Sequence, residues 1–298
     1  LFPGQGSQYV GMPRSLLDSF PASKLIFEEA ADALKMNLLK LCSEGPESEL
    51  ELTLNQQPAI LTTSWAWYSV LKKNLGLKPA FGAGHSLGEY SALLSAGCMS
   101  LSEAVTLVRK RGELMQTAVK PGVGKMAAVI GLDEDKIKRA CDLASDRATL
   151  VACANFNSPG QVVIAGHREA VERAEEILRG EKHPELKARR VVPLNVSAPF
   201  HCSLMTPVAE SFLPYLKSVV WKERQFPVIA NVDAKLKVNE ELVPLLKDQI
   251  DHPVLWTQCV ETLQNSGATH YVEMGPGKVL TGLVKRILDK PRTFSMDS

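Results

Sequence analysis

Neither sign of charge dominates this sequence: 34 Lys and Arg stand against 33 Asp and Glu in 298 residues, a formal charge of +1. Binding a phosphate backbone needs a basic stripe, and none is present, which argues against nucleic acid as the main partner. Long apolar runs are missing too. No stretch approaches the roughly 18 to 20 residues that span a bilayer, and no basic segment followed by an apolar one opens the chain. The expectation is a chain that neither crosses a membrane nor shows a secretion signal. It begins abruptly at Leu1-Phe2-Pro3, which reads as the end of a buried strand, so residues ahead of it, any targeting peptide among them, are expected to have been removed. Cysteine is sparse and unpaired. Cys42, Cys98, Cys141, Cys153, Cys202 and Cys259 stand singly, with no C-x-x-C and no histidine pair at ligand spacing. That pattern points to a reduced compartment and to no structural metal. Repeats, low-complexity tracts and heptads are absent as well.

What is present is an ordinary globular composition, 45% hydrophobic and 22% charged. At about 150 residues per domain, the length fits two domains, or one large α/β domain with an insertion. Residues 1–122 alternate helical stretches (23–41, 57–75, 89–96) with short apolar ones such as 80–84. Strands interleaved with helices imply a parallel sheet covered on both faces. Residues 124–194 read differently: strand 125–131, helix Glu134–Ala144, strand 149–155, turn 157–160, strand 161–165, helix 168–178, strand 189–194. This βαββαβ order is the ferredoxin-like pattern. Pro121-Gly122-Val123-Gly124 and the region of Pro193 are its predicted boundaries. From Asn195 the α/β character resumes, with a strand at 227–231, a helix from Glu240 and a strand at His270–Glu273. The predicted organisation is a large α/β catalytic domain of residues 1–123 and 195–298, interrupted by a ferredoxin-like small domain of residues 124–194.

Gly84-His85-Ser86-Leu87-Gly88 fits G-x-S-x-G between a predicted strand and a predicted helix, which makes the large domain α/β-hydrolase-like. A sharp strand-to-helix turn exposes the serine oxygen and needs small neighbours, and the helix N-terminus beneath it favours a developing oxyanion. Serine needs a base. His167 and His183 lie in the presumed insert, and His85 is tied to the elbow, which leaves His201, His252 and His270. His201, in a loop following a returning strand, has the Ser-then-His chain order of the hydrolases. Ser100 and Glu103 form a capping box, and the helix behind it puts Ala104, Val108, Arg111 and Met115 on one face at spacings of four, three and four. An arginine on an apolar stripe either reaches the surface at the helix end or takes a carboxylate on its planar fork. The glycines around Gln5 let the backbone approach a ligand closely.

Together, Pro3-Gly4-Gln5-Gly6-Ser7-Gln8, Gly84-His85-Ser86-Leu87-Gly88-Glu89, Arg111-Gly112 with Met115-Gln116, Pro199-Phe200-His201 and Gly275-Pro276-Gly277-Lys278-Val279-Leu280 resemble the acyltransferase family in order and spacing over essentially the whole chain. Its members include malonyl-CoA:acyl carrier protein transacylases and the acyltransferase domains of fatty acid and polyketide synthases. The resemblance implies malonyl transfer from malonyl-CoA to the phosphopantetheine thiol of acyl carrier protein through a malonyl-serine. The alternative is a serine hydrolase or thioesterase acting on acidic esters. It also implies Ser86 as nucleophile, His201 as base and then acid, Arg111 on the malonyl carboxylate, and the Gln5 and Leu87 N–H groups as the oxyanion hole. The Gln249 carbonyl would orient the histidine, giving a Ser-His dyad. His85, Met115, Asn157 and Phe200 would line the substrate pocket, with Phe200 crowding the acyl α-carbon and favouring malonyl over methylmalonyl. No cofactor or metal is implied, since the substrates bring their own pantetheine arms. The implied partners are malonyl-CoA and an acidic carrier protein, docked on a basic rim for which Lys278, Lys285 and Arg286 are candidates. A monomer in the mitochondrial matrix is the implied setting, with the bacterial cytoplasm as alternative.

Overall fold

The computed structural model describes residues 1–120, 122–196 and 198–297. Pro121, assigned above to a domain boundary, and Ser197, in the loop before His201, lie outside the described residues. The chain is a mixed α/β protein.

Residues 124–193 form one sheet with two helices: β1 (Gly124–Ile130), the helix Glu134–Ala144, β2 (Val151–Ser158), β3 (Gln161–His167), the helix Arg168–Arg179 and β4 (Arg190–Pro193). The strands lie in the order β2-β3-β1-β4, every pairing antiparallel. The amphipathic helix Arg168–Arg179 buries Ala170, Val171, Ala174 and Leu178, spaced as one helical face. These pack with Val129, Ile137 and Ile164 in a core of the unit's own.

The rest of the chain is held together by short parallel segments. β7 (His270–Glu273) pairs in parallel with β8 (Arg292–Ser295). Leu1 lies along the other edge of β7, its ammonium donating to the Val272 carbonyl at 2.7 Å while the Met274 N–H donates to Leu1 at 2.8 Å. Phe2 bridges Gly84 in parallel, Gly82 bridges Val228, and β5 (Val228–Ile229) turns back onto β6 (Leu236–Lys237). The parallel sheet is therefore present, but residues 80–84 contribute only the bridges at Gly82 and Gly84, because the chain turns at once into the elbow. Residues 23–41 are not one helix. The helix Lys24–Leu34 ends where Lys35 turns left-handed, and the Asn37 side chain accepts from the Lys40 N–H at 3.0 Å to cap a new helix, Leu38–Glu44. Periodicity carried the prediction across this break, and a capping side chain won locally.

The long helix Thr53–Leu75 is buried along most of its length and crosses the helix Leu101–Gln116 closely. Gly112 makes that crossing possible, since a Cβ there would lie 2.7 Å from both the Leu54 Cα and the Thr53 carbonyl oxygen. The crossing sets Gln57 and Arg111 beside each other. The antiparallel unit joins the parallel one where the Phe156 N–H donates to Val254 and the Val254 N–H to Ala154, each at 2.9 Å.

Candidate active site

The elbow is dictated by crowding. Ser86 has φ 51° and ψ −104° and precedes the helix Leu87–Ser95. A Cβ on Gly84 would sit 1.9 Å from the Gly88 carbonyl, and one on Gly88 would sit 2.0 Å from the Phe2 oxygen. Only hydrogen at both positions lets the first residues, the turn and the helix stack. Such a backbone conformation costs on the order of 1–3 kcal/mol. Asn231, just beyond β5, offsets it: its Oδ1 accepts the Ser86 N–H at 2.7 Å and its Nδ2 donates to the Gly84 carbonyl at 2.8 Å.

Ser86 Oγ lies 2.8 Å from His201 Nε2, and His201 Nδ1 lies 2.8 Å from the Gln249 carbonyl oxygen. A carbonyl only accepts, so Nδ1 carries the proton and Nε2 is left to take one from the serine. Burial, with help from the Arg111 and His85 charges, pushes the His201 pKa down to about 3. The imidazole is thus neutral and able to act as a base across the physiological range. His252 and His270 are both exposed and bound to local partners, Asp248 with Asp251 and Thr269 respectively. The Cys202 thiol donates to the Pro199 carbonyl at 3.0 Å.

Arg111 is fully buried on a helix opened by the Ser100–Glu103 capping box. Its Nη1 donates to Gln57 Oε1 at 3.0 Å, and its Nη2 to Gln249 Oε1 at 3.0 Å and to Ser86 Oγ at 3.1 Å. All three acceptors are uncharged. Nε has no acceptor among the described residues, and the guanidinium carbon lies 5.2 Å over the Tyr90 ring. Burial lowers the arginine pKa from its ordinary value, though a guanidinium still holds its proton. A buried cation whose direct partners are all neutral, one hydrogen bond from the Ser86 hydroxyl, can take an anion as a further partner.

Gln5 sits in a loop whose Gly4 presses against His85, where a Cβ would meet the carbonyl oxygen at 2.5 Å. Its side chain donates to Gln56 at 2.8 Å. Among the described residues, neither the Gln5 nor the Leu87 backbone N–H donates to another protein group. His85 Nε2 and Asn157 Oδ1 are 2.8 Å apart, and with Gln5, Gln161 and Leu280 they line a cavity of about 190 Å³. Burial lowers the His85 pKa. Met115 Sδ is 3.6 Å from Gln57 Nε2, beside the arginine, and Phe200 is buried next to His201.

Residues 1–295 match the family model described as the acyl transferase domain. The chain belongs to that acyl transferase family. It is 48% identical to the malonyl CoA-acyl carrier protein transacylase of Escherichia coli (strain K12) over 97% of this chain and 92% of that protein. It is 44% identical to the protein of the same name from Bacillus subtilis (strain 168), over 99% and 92%. An acyl carrier protein S-malonyltransferase of Vibrio cholerae superposes with a TM-score of 0.94 at 44% identity, covering 100% of this chain and 95% of that one. A malonyl-transacylase solved in complex with its type II polyketide acyl-carrier protein matches equally, with a TM-score of 0.94 and 44% identity over 100% and 94%. These named relatives from identified sources are bacterial, and they lend no support to a mitochondrial form.

Three buried polar residues of this acyl transferase site have no role in the sequence reading, although Glu89 is part of the motif that carries the resemblance. Gln57 is fully buried and holds Arg111; a glutamine pair ahead of the apolar run 58–61 was its available signal. Asn231 holds the elbow from the end of β5. Glu89 follows the G-x-S-x-G motif directly and accepts from the Asn231 N–H at 3.0 Å and from Gln249 Nε2 at 2.7 Å. Of the basic rim, Lys278, Lys285 and Arg286 are all exposed, and Arg286 reaches across to Gln161 of β3.

Proposed function

We propose that this chain moves the malonyl group of malonyl-CoA onto the phosphopantetheine thiol of acyl carrier protein, by way of a malonyl ester on Ser86, and so supplies fatty acid synthesis. The observation that carries this reading is the arginine: a Ser-His pair at 2.8 Å is common to many acyl enzymes, but a buried, carboxylate-free guanidinium 3.1 Å from the same oxygen selects an acyl group that ends in an acid.

The sequence of steps follows from the hydrogen bonds. The Ser86 hydroxyl gives its proton to His201 Nε2 as Oγ attacks the thioester carbonyl, and the N–H groups of Gln5 and Leu87 hold the oxyanion. Collapse of the tetrahedral adduct expels the CoA sulfur, which takes the proton from Nε2. The carrier thiol then gives its proton to Nε2, attacks the ester, and Ser86 leaves with the proton restored. A carbonyl behind the imidazole, in place of a carboxylate, makes a weaker base, which suits exchange between two thioesters of nearly equal energy. Activation comes with the thioester itself, so this route uses no cofactor and no metal. Phe200 beside His201 would crowd a branched α-carbon and favour malonyl over methylmalonyl.

We read residues 124–194 as an inserted ferredoxin-like small domain, on the strength of its antiparallel β2-β3-β1-β4 order and separate core, with the large α/β-hydrolase-like domain made from both flanks. It supplies Asn157, which sits 2.8 Å from His85 beside the elbow, to the wall of the cavity under the Gln5 loop and so helps to keep water from the ester. The active unit in this reading is a monomer, with the exposed basic residues Lys278 and Lys285 on the rim that meets an acidic carrier. Between the two compartments the sequence left open, bacterial relatives favour the bacterial cytoplasm.

Labelled malonyl-CoA tests the reading against a hydrolase that shares the elbow. The label is expected to pass to holo-carrier protein, with CoA release accelerated by the carrier. Free malonate released as fast as CoA, with no effect of carrier, would establish the hydrolase instead.

A further inference from the structure

The Glu89 side chain is a buried carboxylate in contact with this network, and it bonds to neither the Ser86 hydroxyl nor the His201 ring; its two side-chain bonds are to Asn231 and Gln249. It lies one residue beyond the elbow glycine, 3% exposed. Both hydrogen bonds to its carboxylate end on the same oxygen, Oε2, one from the Asn231 backbone N–H and one from the Gln249 side-chain amide. The two donors are the residues that organise the dyad. Asn231 clamps the Ser86 backbone on either side of the turn. Gln249 supplies the carbonyl on His201, donates Nε2 to the Ser86 carbonyl at 3.0 Å, and presents Oε1 to Arg111. A carboxylate accepts only, so it draws the NH₂ end of the Gln249 amide toward itself and thereby turns the oxygen end toward the guanidinium. With the amide reversed, Arg111 would face a donor. Glu89 is also the negative charge nearest in this chain of contacts to a cation whose direct partners are all neutral, and Arg111 in turn offsets part of the burial that raises the Glu89 pKa to about 7.

We propose that Glu89 is a positioning residue and the resident counter-charge of Arg111, acting through the Gln249 amide while the pocket holds no substrate acid. The inference rests on the malonyl reading of Arg111. An incoming malonyl carboxylate then competes with Glu89 for the same guanidinium, so the glutamate sets how strongly the pocket prefers acidic acyl groups as well as how the dyad is aligned. Charge and geometry separate cleanly here, because the single accepting oxygen can be supplied by an amide.

The test crosses the two in purified full-length protein at pH 8, above the raised Glu89 pKa of about 7, measuring kcat/KM for malonyl-CoA and acetyl-CoA with holo-carrier protein. Glu89→Gln keeps an acceptor for Asn231 and Gln249 but removes the charge; the malonyl-to-acetyl ratio is expected to rise on the order of tenfold, as one buried charge linked to the guanidinium through a single amide allows at an effective dielectric near 20. Glu89→Asp keeps the charge but withdraws the oxygen; kcat is expected to fall for both acyl groups with the ratio unchanged. Parallel changes for both acyl groups in Glu89→Gln, or a ratio that shifts in Glu89→Asp alone, would overturn the assignment. Either variant decides the matter if the other fails to fold. A wild-type enzyme without a malonyl preference would instead sink the reading of Arg111 itself, before any Glu89 variant is compared.

Discussion

Replacing Arg111 by lysine preserves the charge and most of the length and removes only the fork. In the resting site the guanidinium spreads its donors over Gln57, Gln249 and Ser86. An ammonium at the end of a flexible stem holds a carboxylate as a point charge and gives up one of two parallel charge-assisted hydrogen bonds. Such a bond is worth about 1.5–3 kcal/mol, so kcat/KM for malonyl-CoA should fall roughly 10- to 150-fold. The acetyl group has no carboxylate to lose. Any cost it bears comes from the Gln57 or Gln249 oxygen left without a donor, and malonyl bears that cost too. The ratio of the two substrates therefore isolates the fork. The assay is transfer to holo-carrier protein from each CoA ester, at matched folded protein judged by thermal unfolding. A ratio that stays at its wild-type value while both rates drop would refute the role of Arg111 and reduce it to a structural cation.

Three further outcomes follow from the geometry. The His201 pKa lies below the unfolded value of 6.5, so the unfolded chain binds the extra proton between pH 6.5 and about 3, and this histidine's contribution to stability is lost as pH falls through that window. Urea unfolding of wild type and His201→Gln at pH 7.5 and pH 5 should show a steeper acid loss in the wild type; equal slopes would contradict the buried neutral imidazole. Asn231→Ala strips two buried hydrogen bonds from the strained elbow and orphans the Ser86 N–H, which should cost about 2–4 kcal/mol in denaturant unfolding and slow acylation of the serine. Gly88→Ala would force a Cβ to within 2.0 Å of the Phe2 oxygen and should cost more stability than Gly6→Ala, where nothing lies within 4 Å and only the positive φ of 90° is strained; the reverse order in a thermal melt would refute the crowding argument.

What could be read from the sequence was what local sterics decide. The elbow needs glycine on both sides of Ser86 whatever surrounds it, the capping box at Ser100 and Glu103 announces its helix, and Glu134–Ala144 and His270–Glu273 coincide with their predicted bounds. The break at residues 35–37 escaped notice because apolar spacing continues through it while one asparagine side chain recaps the chain. The choice among His201, His252 and His270 lay beyond local pattern, since it rests on a contact between Ser86 and a residue 115 positions away. The same holds for the polar layer behind the dyad. Asn231 reaches Ser86 across 145 positions and Gln249 reaches Glu89 across 160, and a buried hydrogen bond leaves no periodic trace in either segment. Resemblance to the acyltransferase motifs brought Gln249 into view and included Glu89 without a role; Gln57, Asn231 and the contacts of Glu89 required the fold.

In the proposed reaction Ser86 carries the malonyl group between two thiols. Intact mass spectrometry after brief exposure to malonyl-CoA, then to holo-carrier protein, follows that transfer. A malonyl adduct is expected that maps to Ser86, is absent from Ser86→Ala, and reappears on the carrier's phosphopantetheine as it leaves the enzyme. Malonylated carrier formed at wild-type rate by Ser86→Ala, or an adduct on another residue, would contradict it.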